Sequence, residues 1–68
     1  MQLREYEVVL SQADSLERIR AAERAIKRAG GRVMMKPSAG TGLTLVTLVL
    51  PDPLTPQQFF PDLPFYRV

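Results

Sequence analysis

The chain has 68 residues, a formal net charge of +2, and neither cysteine nor histidine. This length predicts a single domain with a thin margin of stability. The missing residue types exclude disulfides, the usual zinc sites and the common nucleophile–base pairs of enzymes. We therefore expect a non-enzymatic protein without cofactor or metal, for which self-association is the remaining common means of stabilising so small a core.

The first predicted element is a strand over Leu3–Leu10. Apolar residues alternate along it, so that Tyr6, Val8 and Leu10 share one face. That face is expected to meet a helix. The opposite, open face then carries a mixed set of side chains: Leu3, Glu5, Glu7 and Val9.

Residues 14–29 predict an amphipathic helix after a short connection at residues 11–13. Asp14 is a good N-cap, and Glu17 lies three residues later in the pattern of a capping box. Gly30 follows the helix, where a left-handed C′ residue is favoured. The apolar stripe repeats at spacings of three and four, as is typical of a helix with one buried face: Leu16, Ile19, Ala22, Ile26 and Ala29.

Two strands joined by a Gly-containing loop at residues 37–42 are predicted next. The first is Arg32–Lys36, with Arg32, Met34 and Lys36 on one face and Val33 and Met35 on the other. The second is Leu43–Leu50, the most apolar segment of the chain. Either face of this strand presents three large aliphatic side chains, so the pattern leaves open which face meets the helix.

The C-terminal part contains five of the six prolines, between residues 51 and 64. Thr55 followed by proline and two glutamines predicts the start of a short helix over Pro56–Phe60. A last short strand is predicted at Phe65–Val68. The aromatic residues of this segment are expected to belong to the core and its cover: Phe59, Phe60, Phe65 and Tyr66.

The predicted order β-α-β-β-α-β indicates an α+β fold, a ferredoxin-like plait over residues 1–68 whose second helix is degenerate. Right-handed crossovers then give a four-stranded antiparallel sheet in the order 4-1-3-2. The most apolar strand falls in a central position of that sheet. Agreement between local pattern and topology favours this fold.

In such a fold the helices cover one sheet face, and an exposed apolar patch remains on the other. The residues expected to form this face are Val9, Met34, Leu43, Leu45 and Val49, and an aromatic residue of the last strand can join them. We expect them to bind a second copy of the chain or another protein. The alternative is that the proline-rich C-terminal segment folds over the face and covers it.

A second candidate site is the loop beginning at Lys36, since glycines allow backbone N–H groups to converge on an anion. Lys36, Ser38 and Thr41 are possible anion contacts, and Arg20 on the basic helix face is another. The loop departs from a phosphate-binding P-loop because Leu43 and a strand follow the last glycine. A structural hairpin is therefore favoured over a site for an anionic metabolite.

A regulatory module that binds an anionic metabolite or nucleic acid through the loop at residues 36–42 and the arginine-rich helix is an alternative function, but nucleic acid is a disfavoured partner. The net charge is low, glutamates interrupt the basic helix face, and the strand Leu43–Leu50 lacks the aromatic residues on which RNA bases stack. Glu5 and Glu7 share a strand face about 7 Å apart. Paired carboxylates can perform acid–base chemistry, but without a third ligand nearby a solvated strand surface is the favoured interpretation. Arg32 and Lys36 on the strand Arg32–Lys36 can balance their charge, within the molecule or across a dimer.

The sequence contains no apolar run of membrane-spanning length and does not begin with a signal-peptide pattern. We therefore expect a cytoplasmic protein with no membrane partner. Seven arginines against two lysines, and the absence of asparagine, fit a thermophilic source. A GC-rich genome would produce the same bias.

The order of elements resembles the subtilisin propeptide and inhibitor I9 family. The segments that carry the resemblance are residues 6–10, the helix with Gly30–Val33, the strand Leu43–Leu50 and the closing Pro61–Val68. Such a resemblance implies a ferredoxin-like domain that inhibits or chaperones a subtilisin-like protease. The sheet would then pack on the protease.

Overall fold

A computed structural model describes residues 2–68, with side chains described for all of these except residues 12–15. Over this range the chain is an α+β protein with one α-helix and a four-stranded antiparallel sheet. The strands are β1 (Leu3–Ser11), β2 (Arg32–Pro37), β3 (Leu43–Pro51) and β4 (Tyr66–Arg67), and α1 spans Gln12–Arg28. A 3₁₀ turn lies at Pro56–Gln58.

The strand order across the sheet is β2-β3-β1-β4, which is the predicted order read from the opposite edge. The two nine-residue strands, β1 and β3, are central and pair along their whole length. The shorter β2 and β4 form the edges. The most apolar segment of the chain therefore lies in the middle of the sheet, as predicted.

The core lies between the sheet and α1. From β1 it takes the predicted set Tyr6, Val8 and Leu10. From β3 the structure selects the face carrying Thr44, Val46, Leu48 and Leu50, which settles the question that the sequence left open. Because strand side chains alternate, Leu43, Leu45, Thr47 and Val49 of β3 and the odd-numbered residues of β1 lie on the face turned away from the helix.

Helix α1 begins at Gln12, directly after β1, so the predicted connection at residues 11–13 and the predicted start at Asp14 are wrong. The predicted capping box rests on the side chain of Asp14, which lies outside the described side chains. Ile19 and Ile26 are fully buried against the sheet and Leu16 and Ala22 are half-buried. Ala29, predicted for the same stripe, is exposed because it follows the last helical residue.

The C-terminal end of α1 is a Schellman motif. The Gly31 N–H donates to the carbonyl oxygen of Ile26 at 2.9 Å, and the Gly30 N–H donates to that of Lys27 at 3.0 Å. Gly30 has φ of +90°, the left-handed conformation predicted for this position. This turn places β2 beside β3.

The C-terminal segment packs on the helix side of the sheet. Phe60 and Phe65 are buried in the same cluster as the helix isoleucines, with ring centroids 5.6 Å apart. The predicted helix at Pro56–Phe60 is shorter than expected and ends at Gln58, whose side-chain oxygen accepts the N–H of Thr55 at 2.8 Å. Tyr66, predicted as core or cover, is exposed because β4 turns it to the opposite face.

The segment that follows β3 is tied to α1 by an ion pair. Arg18 donates from Nη1 to Oδ2 of Asp62 at 2.8 Å and from Nη2 to Oδ1 at 2.5 Å. These hydrogen bonds lower the pKa of the Asp62 carboxyl and raise the pKa of the Arg18 guanidinium. Both side chains lie at the surface, and the pair joins parts of the chain 44 residues apart.

Candidate functional site

The sheet face turned away from α1 is the candidate site, and we call it the open face. Its apolar members are the five predicted residues Val9, Met34, Leu43, Leu45 and Val49, joined by Leu3 and Tyr66. Val9, Met34 and Leu43 are 51%, 45% and 42% exposed, and Leu45 and Val49 are half-buried. The C-terminal segment does not cover them, since its aromatic rings pack on the other side of the sheet or, for Tyr66, lie on this face themselves.

Strand register arranges the open face in rows that cross the sheet. Leu45 is flanked by Val9 on β1 and by Lys36 on β2. In the next row Thr47 is flanked by Glu7 and Met34. Tyr66 extends this second row beyond Glu7 through the pairing of β1 with β4.

The third row carries one charge of each sign. Val49 lies opposite both Glu5 on β1 and Arg32 on β2. Neither residue is part of an ion pair among those of the described side chains, which are Arg4–Asp52, Arg18–Asp62 and Glu23–Lys27. The open face therefore has an acidic strand on one side of β3 and a basic strand on the other.

A groove of about 420 Å³ lies at the loop end of the open face. Val9, Leu43 and Leu45 form its apolar floor. Lys36, Ser38 and Thr41 lie at its polar side. The structure thus brings three of the predicted anion contacts against three residues of the predicted partner face, a juxtaposition that the sequence did not indicate.

The loop beside this groove uses its polar groups internally. The Thr41 hydroxyl donates to the carbonyl oxygen of Ser38 and accepts the N–H of Leu43, both at 3.2 Å. The Ser38 N–H donates to the carbonyl oxygen of Leu43 at 2.9 Å. Because these N–H groups are not turned toward a common point outside the loop, the hydrogen bonds favour a structural hairpin over an anion-binding nest.

Arg20 lies apart from the loop. It lines a different, shallow groove on the outer surface of α1, together with Arg24, Lys27, Arg28 and Glu23. Glu23 forms an ion pair with Lys27 at 3.5 Å, which reduces the positive charge of that surface. The structure therefore does not join Arg20 to Lys36, Ser38 and Thr41 in one site.

Glu5 and Glu7 face outward from β1 on the open face, as predicted. No group of three or more acidic side chains that could hold a metal ion occurs among those that the structure describes. We therefore assign no metal site to this pair. Their significance is electrostatic, since they make the β1 side of the open face negative.

The opposite charges of the two strands predict that Arg32 and Lys36 can balance Glu5 and Glu7, but they do not predict that Arg32 and Glu5 align across Val49. This common row depends on the registers of two separate strand pairings. The only signal in the sequence was the opposite charge of the two strands. Such a signal gives no position along the strand.

No helix within the described residues is long and apolar enough to cross a lipid bilayer. Comparisons of the chain with protein-family models, with curated proteins and with solved structures found no match.

Proposed function

We propose that this chain is a small, non-enzymatic protein-interaction domain whose working surface is the open face. The observation that carries the proposal is the exposure of Val9, Met34 and Leu43 around two half-buried aliphatic residues of the central strand. A contiguous apolar surface of this kind is typical of an interaction site. Intramolecular cover by the C-terminal segment, the competing explanation, is contradicted by the burial of Phe60 and Phe65 on the other side of the sheet.

The same proposal includes two finer statements. The fold is a ferredoxin-like plait in which the turn at Pro56–Gln58 occupies the place of the second helix, as the strand order and the crossover through α1 support. The location is cytoplasmic, which is compatible with a chain that contains no cysteine to form disulfides.

Two classes of partner fit this surface. One is a protein that buries the apolar residues of β1 and β3, and a second copy of the chain belongs to this class. The other, which the family resemblance suggests, is a subtilisin-like protease. Titration of such a protease with the purified chain tests this class, and full protease activity in the presence of a large excess of the chain would remove it.

The proposal is tested by photo-crosslinking from the open face. Met34 is replaced by the photoreactive residue p-benzoyl-phenylalanine, and exposed Ala21 on α1 is replaced in a matched control. We expect position 34, and not position 21, to give a discrete adduct identified by mass spectrometry in cells that express the chain naturally. Equal or absent adducts from the two positions would overturn the proposal.

A further inference from the structure

We propose that the partner on the open face is a second copy of this chain. The two open faces pack against each other about a two-fold axis that lies between them, parallel to β3 and directly above it. This inference rests on the proposed function and adds the partner and its orientation. Its central feature is a reciprocal ion pair between Arg32 of each copy and the partner's Glu5. The arrangement of charges on the face selects both the partner and the axis.

The argument begins with the row through Val49. Arg32 lies one strand to one side of Val49, and Glu5 lies one strand to the other side. Neighbouring strands are separated by about 4.8 Å, so the two charged residues are nearly equidistant from β3. A half-turn about an axis along β3 exchanges these two positions, and each Arg32 is then placed over the partner's Glu5.

The other rows agree with this axis. The row through Leu45 lays Lys36 over the partner's Val9, one row from the partner's Glu7. The row through Thr47 lays Met34 over the partner's Glu7. No row opposes two like charges, and Leu45 and Val49 meet their own copies on the axis, where they form an apolar seam.

The alternative two-fold axis runs across the strands, and charge disfavours it. That rotation lays β2 on the partner's β2, so that Arg32 and Lys36 of one copy approach the positively charged Arg32 and Lys36 of the other copy. It also lays the acidic β1 on the partner's β1. Like charges across an interface suppress association, whereas opposite charges guide it. Only the axis along β3 makes the face complementary to itself, as a symmetric dimer requires.

The size of the face predicts a weak dimer. Each strand residue adds about 3.3 Å of length, and neighbouring strands are about 4.8 Å apart. Multiplied over the four strands, these spacings give a projected sheet area of about 400 Å² per copy. Two such faces total about 800 Å², which is typical of transient association. We therefore expect a dissociation constant of about tens to hundreds of micromolar.

Charge reversal with mixing tests the orientation. Glu5→Lys and Arg32→Glu are each prepared and examined by sedimentation equilibrium up to about 1 mM, well above the expected dissociation constant. Each homodimer then opposes like charges twice, and we expect each variant alone to dimerise at least about tenfold more weakly than the wild type. In an equimolar mixture, the lysine introduced in one variant faces the glutamate introduced in the other, and the unaltered Arg32 faces the unaltered Glu5. We expect this mixture to form a 1:1 heterodimer of near wild-type affinity.

Controls separate this pairing from net charge and from folding. Glu17→Lys and Arg24→Glu change the net charge equally on α1, and we expect neither to affect dimerisation. The double variant Glu5→Lys/Arg32→Glu in one chain restores both pairs and is expected to dimerise again. Circular dichroism of every variant verifies the fold.

The outcomes distinguish this inference from the proposed function. A wild-type chain that stays monomeric throughout overturns the second-copy inference, and a crosslink from position 34 to another protein would then leave the proposed function standing. Dimerisation that is unaffected by the reversals, or weakened without rescue by mixing, overturns the axis along β3. Heterodimer rescue, absent from the α1 controls, supports the inference.

Discussion

Replacement of Thr44 by valine is expected to stabilise the fold. Thr44 is 1% exposed on the helix-facing side of β3, and its hydroxyl oxygen has no hydrogen-bond partner among the described residues. A buried polar group without a partner costs about 1–3 kcal/mol of stability. Valine has nearly the same shape and no hydroxyl, so the substitution removes that cost without leaving a cavity.

We expect the free energy of unfolding to rise by about 1–2 kcal/mol in Thr44→Val. In a domain of this size, each kcal/mol corresponds to a Tm increase of about 4–8 °C. The assay is urea or thermal unfolding followed by circular dichroism. It is performed at low micromolar concentration, at which the proposed dimer is dissociated and does not contribute to stability.

Thr47→Val is the matched control. Thr47 lies on the same strand but on the open face, where its side chain is half-buried and has access to solvent. The same atomic change there is expected to alter the unfolding free energy by less than about 0.5 kcal/mol. A Thr44→Val variant that is no more stable than Thr47→Val would refute the argument that an unpaired buried hydroxyl weakens this core.

Two further predictions concern the connections around α1. Gly31→Ala is expected to destabilise the fold by about 1–3 kcal/mol in urea unfolding. The reason is steric, because an added Cβ would lie 2.7 Å from the carbonyl oxygen of Val49 and 2.9 Å from Cγ2 of Ile26. A variant as stable as the wild type would show that the turn relaxes freely. Asp62→Asn is expected to reduce the loss of stability in acid. The pKa of Asp62 is held below its ordinary value of 3.8, chiefly by the hydrogen bonds from Arg18, so the carboxylate stabilises the fold fully above that value and loses this effect as the pH falls through the lower, folded pKa. Urea midpoints of the two proteins should therefore differ at pH 7 and converge toward pH 2, and a constant difference across that range would contradict the mechanism.

Local patterns in the sequence were sufficient to locate most of the elements. The alternation of Tyr6, Val8 and Leu10 correctly predicted the buried face of β1, and the glycine after α1 correctly predicted its Schellman end. The predicted start of α1 at Asp14 is two residues late because Asp14 is a strong N-cap residue type, whereas the helix follows β1 directly and begins at Gln12. Intrinsic capping preference is weaker than the tertiary packing that positions a helix.

Patterns could not determine the site beyond its list of residues. All five predicted partner-face residues lie on the open face, because β-strand alternation assigns them there once one side of each strand is buried. Positive charge alone predicts that Arg20 acts together with the loop, but Arg20 lies in a separate groove on α1. The charge of a residue does not show which distant residues lie beside it in the folded chain.

Short-range patterns in the sequence were sufficient to predict the strands, the long helix, the order of these elements, and the excess of apolar surface in so short a chain. These follow from the period of hydrophobic residues and from turn-forming glycine and proline, which act over a few residues. Three features became visible in the folded chain alone: the side of Leu43–Leu50 that meets α1, the packing of Phe60 and Phe65, and the position of Arg32 and Glu5 on either side of Val49. Those features depend on strand register and on competition between distant segments for one core, and both are settled only when the whole chain packs together.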